Sequence, residues 1–124
     1  MDKEAVAAEI GNEIGGYRTY SGTRKWWRGK HGGLDWVVNL KTDDDLLWVL
    51  VSPRLPSSDK QVTFKATNGS FEHEDGEVEY ESASNFVEKA TDIAKQSLEE
   101  RILREKIQNQ IKQIIKWHNK KSDD

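Results

Sequence analysis

The sequence predicts an α+β domain: a short N-terminal helix, a mostly antiparallel meander sheet of about five strands, and a long C-terminal helix. Three observations carry that expectation. Apolar and polar residues alternate around two turn dipeptides, Asn68-Gly69 and Asp75-Gly76. Residues 84–120 contain neither proline nor glycine, as one uninterrupted helix requires. Finally, 124 residues with 35% hydrophobic and 33% charged content suffice for a single domain with a lean core.

In residues 1–16, Val6, Ile10 and Ile14 recur every four positions, one stripe of a helix. Asp2 can cap its start and Gly15-Gly16 ends it; Gly11 weakens it by about 1 kcal/mol against alanine, so it depends on the core. Residues 17–83 are β-rich. They open with YRTYSGTRKWWRGKHGG, either a hairpin turning at Ser21-Gly22 with arms 17–20 and 23–27, or an irregular basic Trp loop. Leu34, Trp36, Val38 and Leu40 then alternate with polar or small partners, a half-buried strand. TDDD (42–45) connects to LLWVLVS, which is apolar on both faces as a central strand is, and Pro53 and Pro56 mark the loop that follows.

Two-residue turns fix register. The first sets Ala66 opposite Phe71, Lys65 opposite Glu72 and Phe64 opposite His73. The second sets Phe71 opposite Tyr80, Glu72 opposite Glu79, His73 opposite Val78 and Glu74 opposite Glu77. Both assign Phe64, Ala66, Phe71, His73, Val78 and Tyr80 to one face, and Thr63, Lys65 and the four glutamates to the other. The expected core side is Trp36, Val38, Trp48, Leu50, Phe64, Phe71 and Tyr80, covered by Phe86, Ala90 and Ile93 of a helix capped by Ser84. On that helix Phe86, Ala90, Ile93, Ile107, Ile111, Ile114 and Ile115 gather on one side, with Leu98 and Ile102 off it. It therefore either bends near Glu99-Glu100 or is apolar on two sides because a second chain packs there. Residues 121–124 form a tail.

The chain has no cysteine, so it forms no disulfide and no thiolate metal site. It carries no Gly-x-Ser-x-Gly and no phosphate loop, and His31, His73 and His118 show no paired metal spacing. A non-enzyme without cofactor or metal is expected. His73 reads as a core histidine, and Asp35 and Asn39 near Trp36 can face a cleft. No apolar run approaches a membrane span and the start lacks a signal-peptide layout, so a soluble cytoplasmic protein is expected, with Asn68-Gly69-Ser70 a turn rather than a glycosylation site.

The net charge of −3 conceals segregation. Residues 17–31 hold Arg18, Arg24, Lys25, Arg28 and Lys30 and no acid; residues 61–83 hold Lys65 against six acids. Cations neutralise phosphates and an exposed indole stacks an unpaired base, so Arg18, Arg24, Lys25, Trp26, Trp27, Arg28, Lys30 and His31 form a candidate nucleic-acid surface. In an extended strand one tryptophan turns inward: Trp27, leaving Lys25 outward, or Trp26. The alternative is a protein–protein module (adaptor, chaperone, or an inhibitor that mimics nucleic acid). It would act through Glu72, Glu74, Glu77 and Glu79 and through the second apolar side of the helix at Leu98 and Ile102, as a homodimer. Like charges facing across strands need an offset, from Lys65, the basic segment, a cation or a partner. Lys112, Lys116 and Lys120 add a basic stripe beside Ile111, Ile114 and Ile115. Nucleic-acid binding ranks first, because folding accounts less readily for bare cations beside paired tryptophans.

Overall fold

A computed structural model describes residues 3–21, 24–41, 46–53, 61–67 and 69–122. The chain is α+β: α1 (Lys3–Glu13), β1 (Tyr17–Ser21), β2 (Arg24–His31), β3 (Leu34–Lys41), β4 (Leu47–Pro53), β5 (Val62–Thr67), β6 (Ser70–His73), β7 (Gly76–Glu79) and α2 (Ala83–Ser122). The strands form one antiparallel sheet in the order β1-β2-β3-β4-β5-β6-β7. There are seven strands rather than five, because the basic Trp stretch is the β1–β2 hairpin and not a loop. Ser21 pairs with Arg24, so its arms reach further than expected. Gly22 of the expected Ser21-Gly22 turn, the cap Asp2, TDDD, Pro56 and Asn68 lie outside the described residues.

Both helices cover the same face of the sheet. Buried there are Trp27, Trp36, Val38, Val49, Val51, Phe64 and Phe71 from the strands, Ile10 and Ile14 from α1, and Phe86, Ala90, Ala94 and Leu98 from α2. Each large side chain so buried contributes about 1.5–3 kcal/mol. Aromatic packing is densest where β6 meets α2, with Phe71 and Tyr80 set edge-on to Phe86 at 4.9 and 5.2 Å. The Tyr80 hydroxyl donates to the Thr67 carbonyl at 2.8 Å. α1 ends with Gly15 N–H bonded to Asn12 O and Gly16 N–H to Gly11 O, closing its free carbonyls. The β2–β3 turn is Gly32-Gly33, both at positive φ (63° and 77°), which a two-residue hairpin loop demands.

Four expectations are corrected. Trp48 and Leu50 do not face the core; Leu47, Val49 and Val51 do. A strand apolar on both faces leaves its phase open, and pairing decides it: Val49 lies opposite Phe64, and Trp48 opposite Lys65. The β6–β7 register is also shifted by two. Phe71 faces Val78, Glu72 faces Glu77 and His73 faces Gly76, so Glu74 and Asp75 make the turn. An Asp75-Gly76 turn of the expected kind needs positive φ at Asp75, and no described non-glycine residue has it. The shift preserves face parity, so the two face assignments stand. The cap of α2 is Ser82, whose Oγ accepts the Asn85 N–H at 3.1 Å, not Ser84. Lastly, α2 runs unbroken through Ser122, so the expected tail at 121–122 is helical.

An open sheet face and a projecting helix

Strand alternation divides the basic Trp segment between the two faces of the sheet. Trp27 is buried beneath α1, where Gly11 makes room: a Cβ on Gly11 would stand 2.6 Å from the Trp27 ring. Lys25 shares that face, as alternation requires, and is not outward. Its Nζ donates to both Glu4 carboxylate oxygens of α1, at 3.1 and 3.2 Å. Arg18 also pairs with Glu4 and lies 5.4 Å over the Trp27 ring. The Lys25 hydrogen bond, aided by the charges of Lys25 and Arg18, holds the Glu4 carboxyl below the ordinary carboxylate range. His31 is half-buried, edge-on to Trp36 at 6.2 Å, and its carbonyl accepts the Trp36 indole N–H. Folding thus accounts for Arg18, Lys25, Trp27 and His31.

Trp26, Arg28 and Lys30 point to the other face, which no described element covers; the Arg24 backbone occupies the same register series. Across this face Trp26, Asn39, Trp48, Lys65, Glu72 and Glu77 form one row on neighbouring strands. Trp26 Nε1 and Asn39 Oδ1, on facing residues, are shielded from solvent and have no hydrogen-bond partner among the described residues. Lys65 Nζ sits 4.8 Å from the Trp48 ring centre. A 670 Å³ cavity opens at one end of the face, bordered by Tyr17, Arg28, Lys30, Asp35, Ser52 and Gln61. Asp35 therefore does line a cleft. Sequence reasoning missed Trp48 and Lys65 here; the signal was that counting back from Asn68-Gly69 puts Lys65 on the open face, and any strand partner of Lys65 with it.

The glutamates do not form the expected double clash. Glu72 alone faces another acid, Glu77, and Lys65 lies on its other side; Glu79 faces Ser70. Glu74, at the turn, accepts from Arg101 at 2.9 Å. His73 lies at the rim of the core rather than in it, packed near Phe64 and Phe71, its Nδ1 accepting the Asp75 N–H.

The helix contradicts one expectation and extends another. Leu98 is only 5% exposed and belongs to the core, whereas Ile102 is 42% exposed. Arg101 donates to the Gln61 carbonyl at 2.6 Å and is not exposed, whereas residues 102–120 all face solvent. Leu103, Ile107, Ile111, Ile114, Ile115 and Trp117 crowd one side of this projecting half, each about half exposed or more. At 100° per residue the centre of that stripe is rotated by roughly 125° from the centre of the side formed by Phe86, Ala90, Ala94 and Leu98, overlapping it only where Ile111 and Ile115 flank the direction of Phe86. The stripe is therefore centred away from the core side. Lys112, Lys116 and Lys120 occupy the opposite side of the helix rather than lying beside the isoleucines as expected, since 100° per residue carries them nearly half a turn from the centre of the stripe.

Among the described residues no group of three or more His, Asp or Glu is placed to hold a metal ion, and no helix is long and apolar enough to cross a membrane. No family model matches the chain, and no curated protein or solved structure matches it significantly.

Proposed function

We propose that this chain is a non-catalytic protein-interaction module whose docking element is the projecting half of α2, offered to an apolar helical surface. The observation that carries this reading is the stripe from Leu103 to Trp117, exposed on a helix that has left its own domain. Most helical stability in proteins comes from packing of an apolar face, which this half lacks within its own domain, and exposed apolar patches of this kind mark interaction sites. Each large side chain that a partner covered would add about 1.5–3 kcal/mol. The lysines opposite confine docking to one side. The test compares the wild type with Ile107→Gln/Ile111→Gln/Ile114→Gln by light scattering and by binding of a hydrophobic dye. The wild type should associate or bind dye and the variant do neither, with equal thermal unfolding of the domain. A wild type that stays monomeric and dye-free removes the reading.

A second reading, single-stranded nucleic acid on the open face, is favoured by one observation: the unpartnered Trp26 N–H and Asn39 oxygen lie in the same row as the Lys65–Trp48 pair, with Arg28 two residues along β2 from Trp26. Indoles offer stacking platforms and three cations (Arg28, Lys30 and Lys65) offer phosphate contacts. Three contacts to a single strand predict a roughly 20-fold loss of affinity between about 50 and 200 mM salt. Tryptophan fluorescence titrations with oligonucleotides should show that slope, and Arg28→Ala/Lys30→Ala should flatten it. Absence of binding at the lower salt removes this second reading. It ranks below the first because four of the eight residues nominated for it are occupied by the fold.

A further inference from the structure

This inference rests on the helix reading above and names the occupant. We infer that the projecting half of α2 pairs with the same segment of a second copy, antiparallel and centred near Gln110. Four of the six stripe residues are paired about that point: Leu103 and Trp117 lie at equal distances on either side, and Ile107 and Ile114 nearly so, while Ile111 and Ile115 flank the axis on one side. An antiparallel copy therefore sets Leu103 of each chain against Trp117 of the other, and Ile107 against Ile114. The surface maps onto itself under a two-fold axis, as an isologous interface must.

Charge selects this orientation over the parallel one. From Lys106 to Lys120 the helix carries four lysines and no acid, whereas Glu99, Glu100 and Glu105 stand nearer the domain. Parallel copies would hold the lysine-rich ends side by side. Antiparallel copies bring Lys116 and Lys120 of one chain toward Glu105 and Glu100 of the other. Each exposed pair contributes little, and Arg104 stands beside Glu105 in the path of Lys116, but over residues 99–105 three acids outnumber Arg101 and Arg104, so the net sign favours this direction. Gln110 falls within the stripe and Gln108 and Gln113 border it, all neutral, while Arg104 and His118 share its Ile111–Ile115 side. At roughly 100 Å² of exposed surface per side chain, the six from each copy offer on the order of 1,200 Å², above the about 1,000 Å² that a stable interface needs. Residues 102–120 are all exposed, and the six apolar side chains of the stripe are each about half exposed or more.

The absence of cysteine makes the test clean, since any introduced thiol is the sole one in its chain. Arg104→Cys and His118→Cys chains, which keep every apolar residue of the stripe, are oxidised separately and as an equimolar mixture. The 104–118 mixed disulfide should exceed either homodisulfide at least tenfold, and the triple Ile→Gln background should abolish it and weaken the dimer at least 100-fold by sedimentation equilibrium. Predominant homodisulfides would overturn the antiparallel arrangement while leaving the helix as a docking element. A wild type that is monomeric to about 200 µM yet binds hydrophobic dye through the stripe would overturn the second copy as occupant and leave the docking reading standing. A monomer that binds no dye overturns both. Flotation of that monomer with phosphatidylserine vesicles would overturn the inference in favour of a lipid surface.

Discussion

The two halves of α2 are made of the same helix yet face different worlds. From Ala83 to Arg101 its inward side is largely small, with Ala90, Thr91 and Ala94 between Phe86 and Leu98, and that side lies close on the sheet. Beyond Arg101 the apolar residues are larger, mostly isoleucine, and turned to another side of the helix. Small residues allow close approach to a neighbour already in place; broad β-branched side chains present area to a neighbour yet to arrive. The contrast teaches that helical continuity is not core continuity. A chain can carry secondary structure past the point where its own packing ends.

Substitutions can break or sharpen that division. Phe86→Ala, in the fully buried aromatic cluster, should cost about 3–5 kcal/mol in urea denaturation. Leu98→Ala should cost about 2–4 kcal/mol; a loss under 1 kcal/mol would mean that the packed half ends a turn earlier than the burial of Leu98 indicates. Arg101→Ala removes the hydrogen bond to Gln61 and the partly exposed pair with Glu74, and should cost about 1 kcal/mol. Ile111→Gln should leave the unfolding of dilute, unassociated protein within about 0.5 kcal/mol of wild type. If Ile111→Gln instead matches Leu98→Ala under those conditions, the projecting half is packed on its own domain.

Much of the fold was legible where local chemistry leaves one solution. Asn68-Gly69 set the β5–β6 register correctly, with Lys65 opposite Glu72 and Ala66 opposite Phe71. Asp75-Gly76 did not, because a dipeptide can occupy different places in different turn types, and backbone φ chooses among them. That one of the adjacent tryptophans turns inward follows from alternation; which one depends on α1, whose Gly11 leaves the gap that the Trp27 ring fills. A glycine inside a helix is costly by propensity, and that cost was itself the signal of a close neighbour. The phase of β4 was hidden by having apolar residues on both sides. The overhang of α2 was readable from dimensions alone. Its 40 residues span about 60 Å, while seven strands span only about 30 Å across and the longest strands less than that along their length. The partner across the open face has no such local signature, since nothing in a strand's alternation names what rests on it.

The sheet's strand order repeats the order of the chain, and this bears on how the molecule assembles. Every strand pairs with its immediate predecessor, so each ladder closes a short stretch of chain and none waits for a distant segment. Loop-closure entropy is therefore met in small steps, and hairpins can add one after another as they form. The packing of α1 against α2 is different, because it joins the two ends of the domain across the whole sheet. That contact closes the longest stretch of chain in the domain and so carries the largest loop-closure cost of its packing.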